Sequence, residues 1–136
     1  EGIPLIYNGQ EAGNEKRLEF FEKDPITWRP HPNAELFTRL TALKHDVKAL
    51  WNGAAGARMI PAVNSAPQKV LSFTRFSDDN GVFAVINFSP EPQSVTFTEH
   101  LHFGSYEDYF SNSDASFDKG SSLDLEPWGY RVYVKR

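Results

Sequence analysis

The carboxylate that most invites a chemical reading is Glu11, in the run Asn8-Gly9-Gln10-Glu11-Ala12-Gly13. It follows a short apolar stretch, Ile3-Pro4-Leu5-Ile6-Tyr7, across an Asn-Gly pair that favours a turn. A carboxylate so placed can move a proton or hold a polar ligand. Gln10 and Tyr7 beside it have the chemistry of hydrogen-bonding wall residues. Phe20, Phe21 and Trp28 offer aromatic faces that suit the apolar face of a sugar ring, although most aromatic side chains serve packing. His100 and His102 share one parity of a strand and could approach one metal, but an H-x-H pair without a third ligand is a weak signal. Asp108, Asp114, Asp118 and Asp124 form an acidic region around a Ser/Gly-rich stretch; their spacing does not match a calcium loop, and a solvated loop is expected. No G-x-S-x-G, phosphate-binding loop or dinucleotide fingerprint occurs. With no cysteine there is no disulfide framework, thiolate metal site or thiol nucleophile, and no cofactor is expected.

The bulk composition is that of a globular chain: 136 residues, 40% hydrophobic, 24% charged and 14% aromatic, with eleven Phe to fill a small core. A net charge of −4, without a basic stripe, argues against a nucleic-acid partner. No apolar run approaches a membrane span, and no signal-peptide pattern is visible, so the compartment stays undefined.

The elements that must carry these residues fall into two parts. Residues 3–7 read as a short strand buried on both faces. A long loop, about 14 to 32, is broken by Pro25, Pro30 and Pro32. Apolar residues at Leu36, Phe37, Leu40, Leu43, Val47 and Leu50 predict one face of a helix over 33–51, with Asn33 as N-cap and Asn52-Gly53 as stop. Past Gly53 the pattern turns to short β-rich runs. A hairpin of 69–76 and 82–88 around the 77–81 turn is the clearest. Runs at 93–98, 105–110, 121–126 and 129–136 extend it into an antiparallel sandwich or barrel. Residues 82–88 are apolar on both parities apart from Asn87, which predicts a central strand. One of its faces should meet the opposite sheet, and the other should be covered by a helix or neighbouring domain.

Several of these runs resemble the α-amylase family of glycoside hydrolases. "GIPLIYNGQEAG" is similar to the eighth barrel strand and its following loop, and "RLEFFEKDPITW" to the loop leading to the last barrel helix in bacterial members. The segments "SFTR", "VFAVINFS" and "LDLEPWGYRVY" resemble the C-terminal sandwich of the family, which ends on a P-x-G turn before its last strand. The resemblance implies a mainly β fold. An antiparallel Greek-key β-sandwich at 53–136 would follow one long amphipathic helix and a strand-loop segment left over from a (β/α)8 barrel at 1–52. It further implies a parent enzyme that cleaves α-1,4-glucosidic bonds in starch or maltooligosaccharides by a retaining mechanism, with paired carboxylates about the scissile bond. The three carboxylates of the family follow barrel strands four, five and seven, so no catalytic residue is assigned in this chain. Gln10, Glu11 and Trp28 become candidates for the substrate rim, and Glu11 is expected to serve structure there rather than catalysis. The implied partners are an upstream barrel of the same polypeptide and, through the parent, an α-glucan. Without that barrel, self-association through residues 1–52 is expected. The alternatives are an independent carbohydrate-binding module and a purely structural interaction domain.

Overall fold

A computed structural model describes residues 2–78 and 80–135. The chain forms two compact units, residues 2–46 and residues 47–135. Residues 47–52, placed by the sequence in the first part, belong with the second unit.

The first unit is built on α1 (Pro32–Asp46) and a single 3₁₀ turn at Gln10–Ala12. The expected strand at 3–7 is not a strand, and its side chains are exposed rather than buried: Ile3 at 81% and Leu5 at 80%. An apolar segment becomes a strand only when a neighbour takes its backbone groups. Here the Tyr7 N–H goes instead to the Gln10 side-chain oxygen, at 2.7 Å. α1 begins one residue before Asn33 and ends at Asp46, short of the expected end at residue 51. Pro32 occupies the first helical position, where its missing N–H costs nothing. His31 takes the capping role: its Nδ1 accepts the Asn33 N–H at 3.2 Å and its carbonyl accepts the Ala34 N–H. Asn33, expected as N-cap, instead donates its side-chain amide to the Gln10 carbonyl at 3.0 Å. Val47 leaves the helix in an extended conformation, and a 3₁₀ turn follows at Lys48–Leu50. Of the predicted helical stripe, Leu43 is the residue of α1 that is buried, while Leu40 is exposed.

The second unit is the sandwich. Its strands are β1 (Ile60–Pro61), β2 (Val70–Ser77), β3 (Asn80–Asn87), β4 (Gln93–Thr96), β5 (Gly104–Asp108), β6 (Ser113–Phe117), β7 (Ser122–Leu125) and β8 (Tyr130–Lys135). One sheet has the order β1-β2-β3-β8-β5-β6 and the other pairs β4 with β7; every pairing is antiparallel. The chain passes from β3 to the small sheet, returns, crosses again at β7, and places β8 between β3 and β5. The predicted hairpin is present, and its strands reach into the predicted 77–81 turn, with Ser77 opposite Asn80. Asp79, inside that turn, lies outside the described residues, as do Glu1 and Arg136. β1 and β6 were not expected from the sequence. Gly81 lets β2 approach β3, because a Cβ there would lie 2.1 Å from the Arg75 carbonyl oxygen.

The inward core is contributed by both sheets: Val70, Phe83, Val85, Tyr106, Phe117 and Tyr133 from the large one, Val95 and Leu125 from the small one. Phe83 is its centre, fully buried, stacked on its cross-strand partner Tyr133 at 5.9 Å and edge-on to Phe97 and Phe117. Such ring pairs add about 0.5–1.5 kcal/mol each beyond the area they bury.

The opposite face of β3 carries Val82 and Ala84, both buried. Its cover is the Val47–Leu50 segment, where Val47 and Ala49 are fully buried and the Ala49 N–H points to the Asn80 side-chain oxygen at 3.4 Å. Arg75, paired with Val82 and so on the same face, fastens this segment by donating to the Ala57 and Trp51 carbonyls at 3.0 and 3.1 Å. The cover stops short of the next row, Leu71–Ile86–Tyr130, in register across β2, β3 and β8. Leu71 and Tyr130 there remain 42% and 39% exposed.

Candidate functional site

Within the first unit, Gln10 and Glu11 share the 3₁₀ turn. Both are engaged locally: Gln10 accepts from the Tyr7 N–H, and the Glu11 carboxylate accepts from the Gly9 N–H at 3.1 Å. Glu11 borders a cleft of about 660 Å³ walled by Ile6, Phe37, Thr38 and Thr41; a second of about 690 Å³ runs past Gln10, Leu5 and Leu40. Trp28 is exposed, and its neighbour Arg29 donates to the Ala12 and Gly13 carbonyls at 3.2 and 3.1 Å. This clamp brings the Trp28 segment to the turn that carries Gln10 and Glu11. Sequence reading passed over Arg29, whose role depends on carbonyls sixteen and seventeen residues away.

Phe20 and Phe21 are about 90% exposed and meet edge to face at 4.8 Å. The base of their loop is closed by the Lys16 ammonium, 2.7 Å from Asp24. That contact, with the Glu19 N–H, holds the Asp24 carboxyl below its usual range. The loop therefore presents two aromatic rings to solvent from a fixed base.

In the sandwich, the H-x-H pair does not form a ligand pair. Residues 97–103 are not a strand beyond the bridge of Phe97 to Asn64. His102 is buried among aromatic rings while His100 is exposed. No cluster of three or more His, Cys, Asp or Glu poised for a metal occurs among the described residues. The acidic region is not uniformly solvated. Asp108 is buried, accepting the Phe110 and Ser111 N–H groups at 3.0 and 3.1 Å, with the Arg131 Nε 4.0 Å away. No described helix is long and apolar enough to cross a membrane.

At one end of the sandwich, Asn87 joins two turns. Its amide donates to the Glu91 and Glu126 carbonyls at 2.7 and 2.9 Å, and its oxygen accepts from the Ser89 N–H and hydroxyl. The exposed rings of Phe88 and Trp128 project from these turns. Trp128 holds a left-handed φ of 57° while its N–H donates to the Ser89 carbonyl.

These features define an antiparallel β-sandwich domain behind a helix-bearing segment, with an apolar row open on its larger sheet. The chain belongs to the family described as the maltogenic amylase C-terminal domain, whose model matches residues 60–132. It is thus a C-terminal portion of an α-amylase-family glycoside hydrolase. The α-amylase MalA of Haloarcula japonica is 31% identical over 98 residues, covering 69% of this chain and 14% of its own. The oligo-1,6-glucosidase IMA3 of Saccharomyces cerevisiae is 36% identical over 67 residues, covering 49% of this chain and 11% of its own. Among solved structures, the maltogenic α-amylase AmyB of Thermotoga neapolitana shares the fold, with a TM-score of 0.80 at 19% identity over 98% of this chain and 33% of that one. The chain spans about a seventh or less of the curated relatives it matches.

Proposed function

We propose that the unit from residue 47 onward is the supporting sandwich of a retaining α-glucosidic enzyme and that residues 2–46 hold the last strand, loop and helix of its (β/α)8 barrel. The parent would act on α-1,4-linked glucans or maltooligosaccharides, with its catalytic carboxylates on the upstream barrel. The observation that carries this reading is the open row Leu71–Ile86–Tyr130 on the same face of β3 as the buried Val82 and Ala84. Large apolar side chains in register on a sheet face are the pattern of a docking surface, and the upstream barrel is its occupant. In the same reading Ile3, Leu5 and Ile6 regain strand partners from the barrel. Gln10, Glu11 and Trp28, with the Phe20–Phe21 pair, then line the rim of its carboxyl end, where such enzymes bind substrate.

Reducing-sugar release from soluble starch and maltooligosaccharides tests it. The parent polypeptide should be active and the 136-residue chain inactive. Ile86→Lys in the parent should lower its melting temperature by several degrees without changing the substrate range. Turnover by the isolated chain that is abolished by Glu11→Gln would overturn the assignment.

A further inference from the structure

His102 stands apart from every other polar side chain of the sandwich core. It is 1% exposed, and neither ring nitrogen has a hydrogen-bond partner among the described residues. The other buried polar groups are provided for. Asn64 donates to the Val70 carbonyl and the Ser72 hydroxyl, Asn87 makes four contacts, and Asp108 takes two backbone N–H groups.

Four aromatic rings surround His102. Phe97, just past β4, lies at 4.6 Å, Phe103 of its own segment at 5.0 Å, Phe83 of β3 at 5.2 Å and Phe117 of β6 at 5.9 Å. None carries a charge or titrates. The nearest titratable groups reached through these rings are Tyr106 and Tyr133, packed on Phe83 and Phe117, and His100, whose ring meets Phe103 at 6.4 Å. Neither tyrosine supplies a counter-charge, since burial pushes both up to about 12. Imidazole is the side chain that gains a charge nearest neutrality. An imidazolium in this cage would have neither acceptor nor counter-ion, and a buried unpaired charge is among the most costly arrangements in a protein.

We propose that His102 is an acid-operated plug: it seals the aromatic core as a neutral ring, and it takes a proton only when the 98–103 segment leaves that core. This segment joins the small sheet to the large one, from β4 to β5. Among the described residues its backbone is anchored by the Thr98 N–H to the Val63 carbonyl at 3.3 Å and the Phe103 N–H to the His100 carbonyl at 3.0 Å. Removing the ring uncovers Phe97 and Phe83 and loosens the link between the sheets.

The sign of the pH effect follows from the burial. Burial lowers the His102 pKa from its ordinary 6.5. The opened state therefore binds the proton first as pH falls. Stability is fully present above 6.5 and is lost below it, with the opening equilibrium shifting about tenfold per pH unit until the closed form itself titrates.

The test uses the 136-residue chain. NMR titration should show the His102 ring titrating below the ordinary 6.5. Between pH 7 and 5, hydrogen-exchange protection of the Thr98–Phe103 amides should fall relative to that of Val82–Val85. Urea unfolding over the same range should show the tenfold-per-unit loss in the wild type, and a flat profile in His102→Phe. A His102 ring that titrates at or above 6.5, or a wild-type slope that persists in His102→Phe, would overturn the proposal. If the variant does not fold, the ring titration and the exchange pattern of the wild type decide alone.

Discussion

The His31 ring occupies the space that a side chain at Gly13 would need: a Cβ built on Gly13 would lie 2.5 Å from its Cδ2 and 2.6 Å from its Nε2. The same ring caps α1 through the Asn33 N–H, so the φ of +64° at Gly13 and the start of the helix depend on each other. Gly13→Ala must both enter the left-handed region and displace the cap. The expected cost is about 1–2 kcal/mol in the 2–46 unit. It should appear as faster amide exchange at the N-terminal turn of α1, with the sandwich amides unchanged. Gly2→Ala, which meets nothing within 4 Å, is the control. Equal behaviour of the two variants would refute the coupling.

A second prediction concerns Asn87. It is 1% exposed, and its amide serves the carbonyls of two separate turns. Asn87→Ala leaves buried acceptors without donors, and the expected loss is about 2–3 kcal/mol. Urea denaturation reads the total. Tryptophan fluorescence should also report a loosened Trp128 turn before global unfolding. A loss below about 0.5 kcal/mol would mean that the turns hold without it.

What could be read in the sequence, and what could not, divides along the range of the interactions. β3 was legible because Val82 to Ile86 are apolar on both parities, a pattern that a half-exposed strand does not need. β6 was not. Ser113, Asp114 and Ser116 have poor strand propensity, and the segment is a strand because β5 supplies its backbone partners. The helix was overextended for the opposite reason. Val47 continues the apolar stripe of α1, yet it is drawn out of the helix and buried with the sandwich unit. In the 2–46 unit, Gln10 and Glu11 could be singled out as candidates from the sequence, and the structure places them on one 3₁₀ turn. The Arg29 clamp could not be, because no local pattern points to carbonyls so far back in the chain. The H-x-H pair looked like strand-borne ligands, but the chain between β4 and β5 is irregular there, so alternation did not apply.

Alkaline pH should unfold the sandwich through Tyr106 and Tyr133. Burial pushes both hydroxyls up to about 12, with the Asp108 charge adding to the effect at Tyr133. A raised folded-state pKa means the unfolded chain ionises first, near 10. Stability is therefore present below pH 10 and is lost as pH rises towards 12, by about 1.4 kcal/mol per unit for each tyrosine. Tyr133→Phe should halve the slope seen in urea titrations at pH 10 to 11.5. Spectrophotometric titration at 295 nm should show two of the five tyrosines ionising only with unfolding. Ionisation of Tyr106 and Tyr133 near pH 10 in the folded chain would contradict the burial argument.

The last prediction follows from the apolar surface of the 2–46 unit. Leu5 and Ile6 border a cleft with Phe37 and Leu40, and the exposures of 80%, 47% and 38% at Leu5, Ile6 and Leu40 leave that surface open to solvent. In the proposed parent the barrel covers it; in the isolated 136-residue chain a second copy is the available apolar surface. Burying a Leu or Ile side chain stabilises by roughly 1.5–3 kcal/mol, so three or four of them can offset an association cost of several kcal/mol. The complex is then held at micromolar concentrations, and an isologous dimer is the simplest outcome. Sedimentation velocity of the chain from about 1 to 200 μM should show concentration-dependent association. Leu5→Asp combined with Leu40→Asp should abolish it, since each variant places a charge on the contact while leaving the sandwich core untouched. Leu71→Asp, on the open row of the sheet, discriminates between the two apolar surfaces. If that variant alone dissociates the complex, association runs through the sandwich and not through the cleft of α1. A chain that stays monomeric across the whole range would show that neither surface is sticky enough to require a partner.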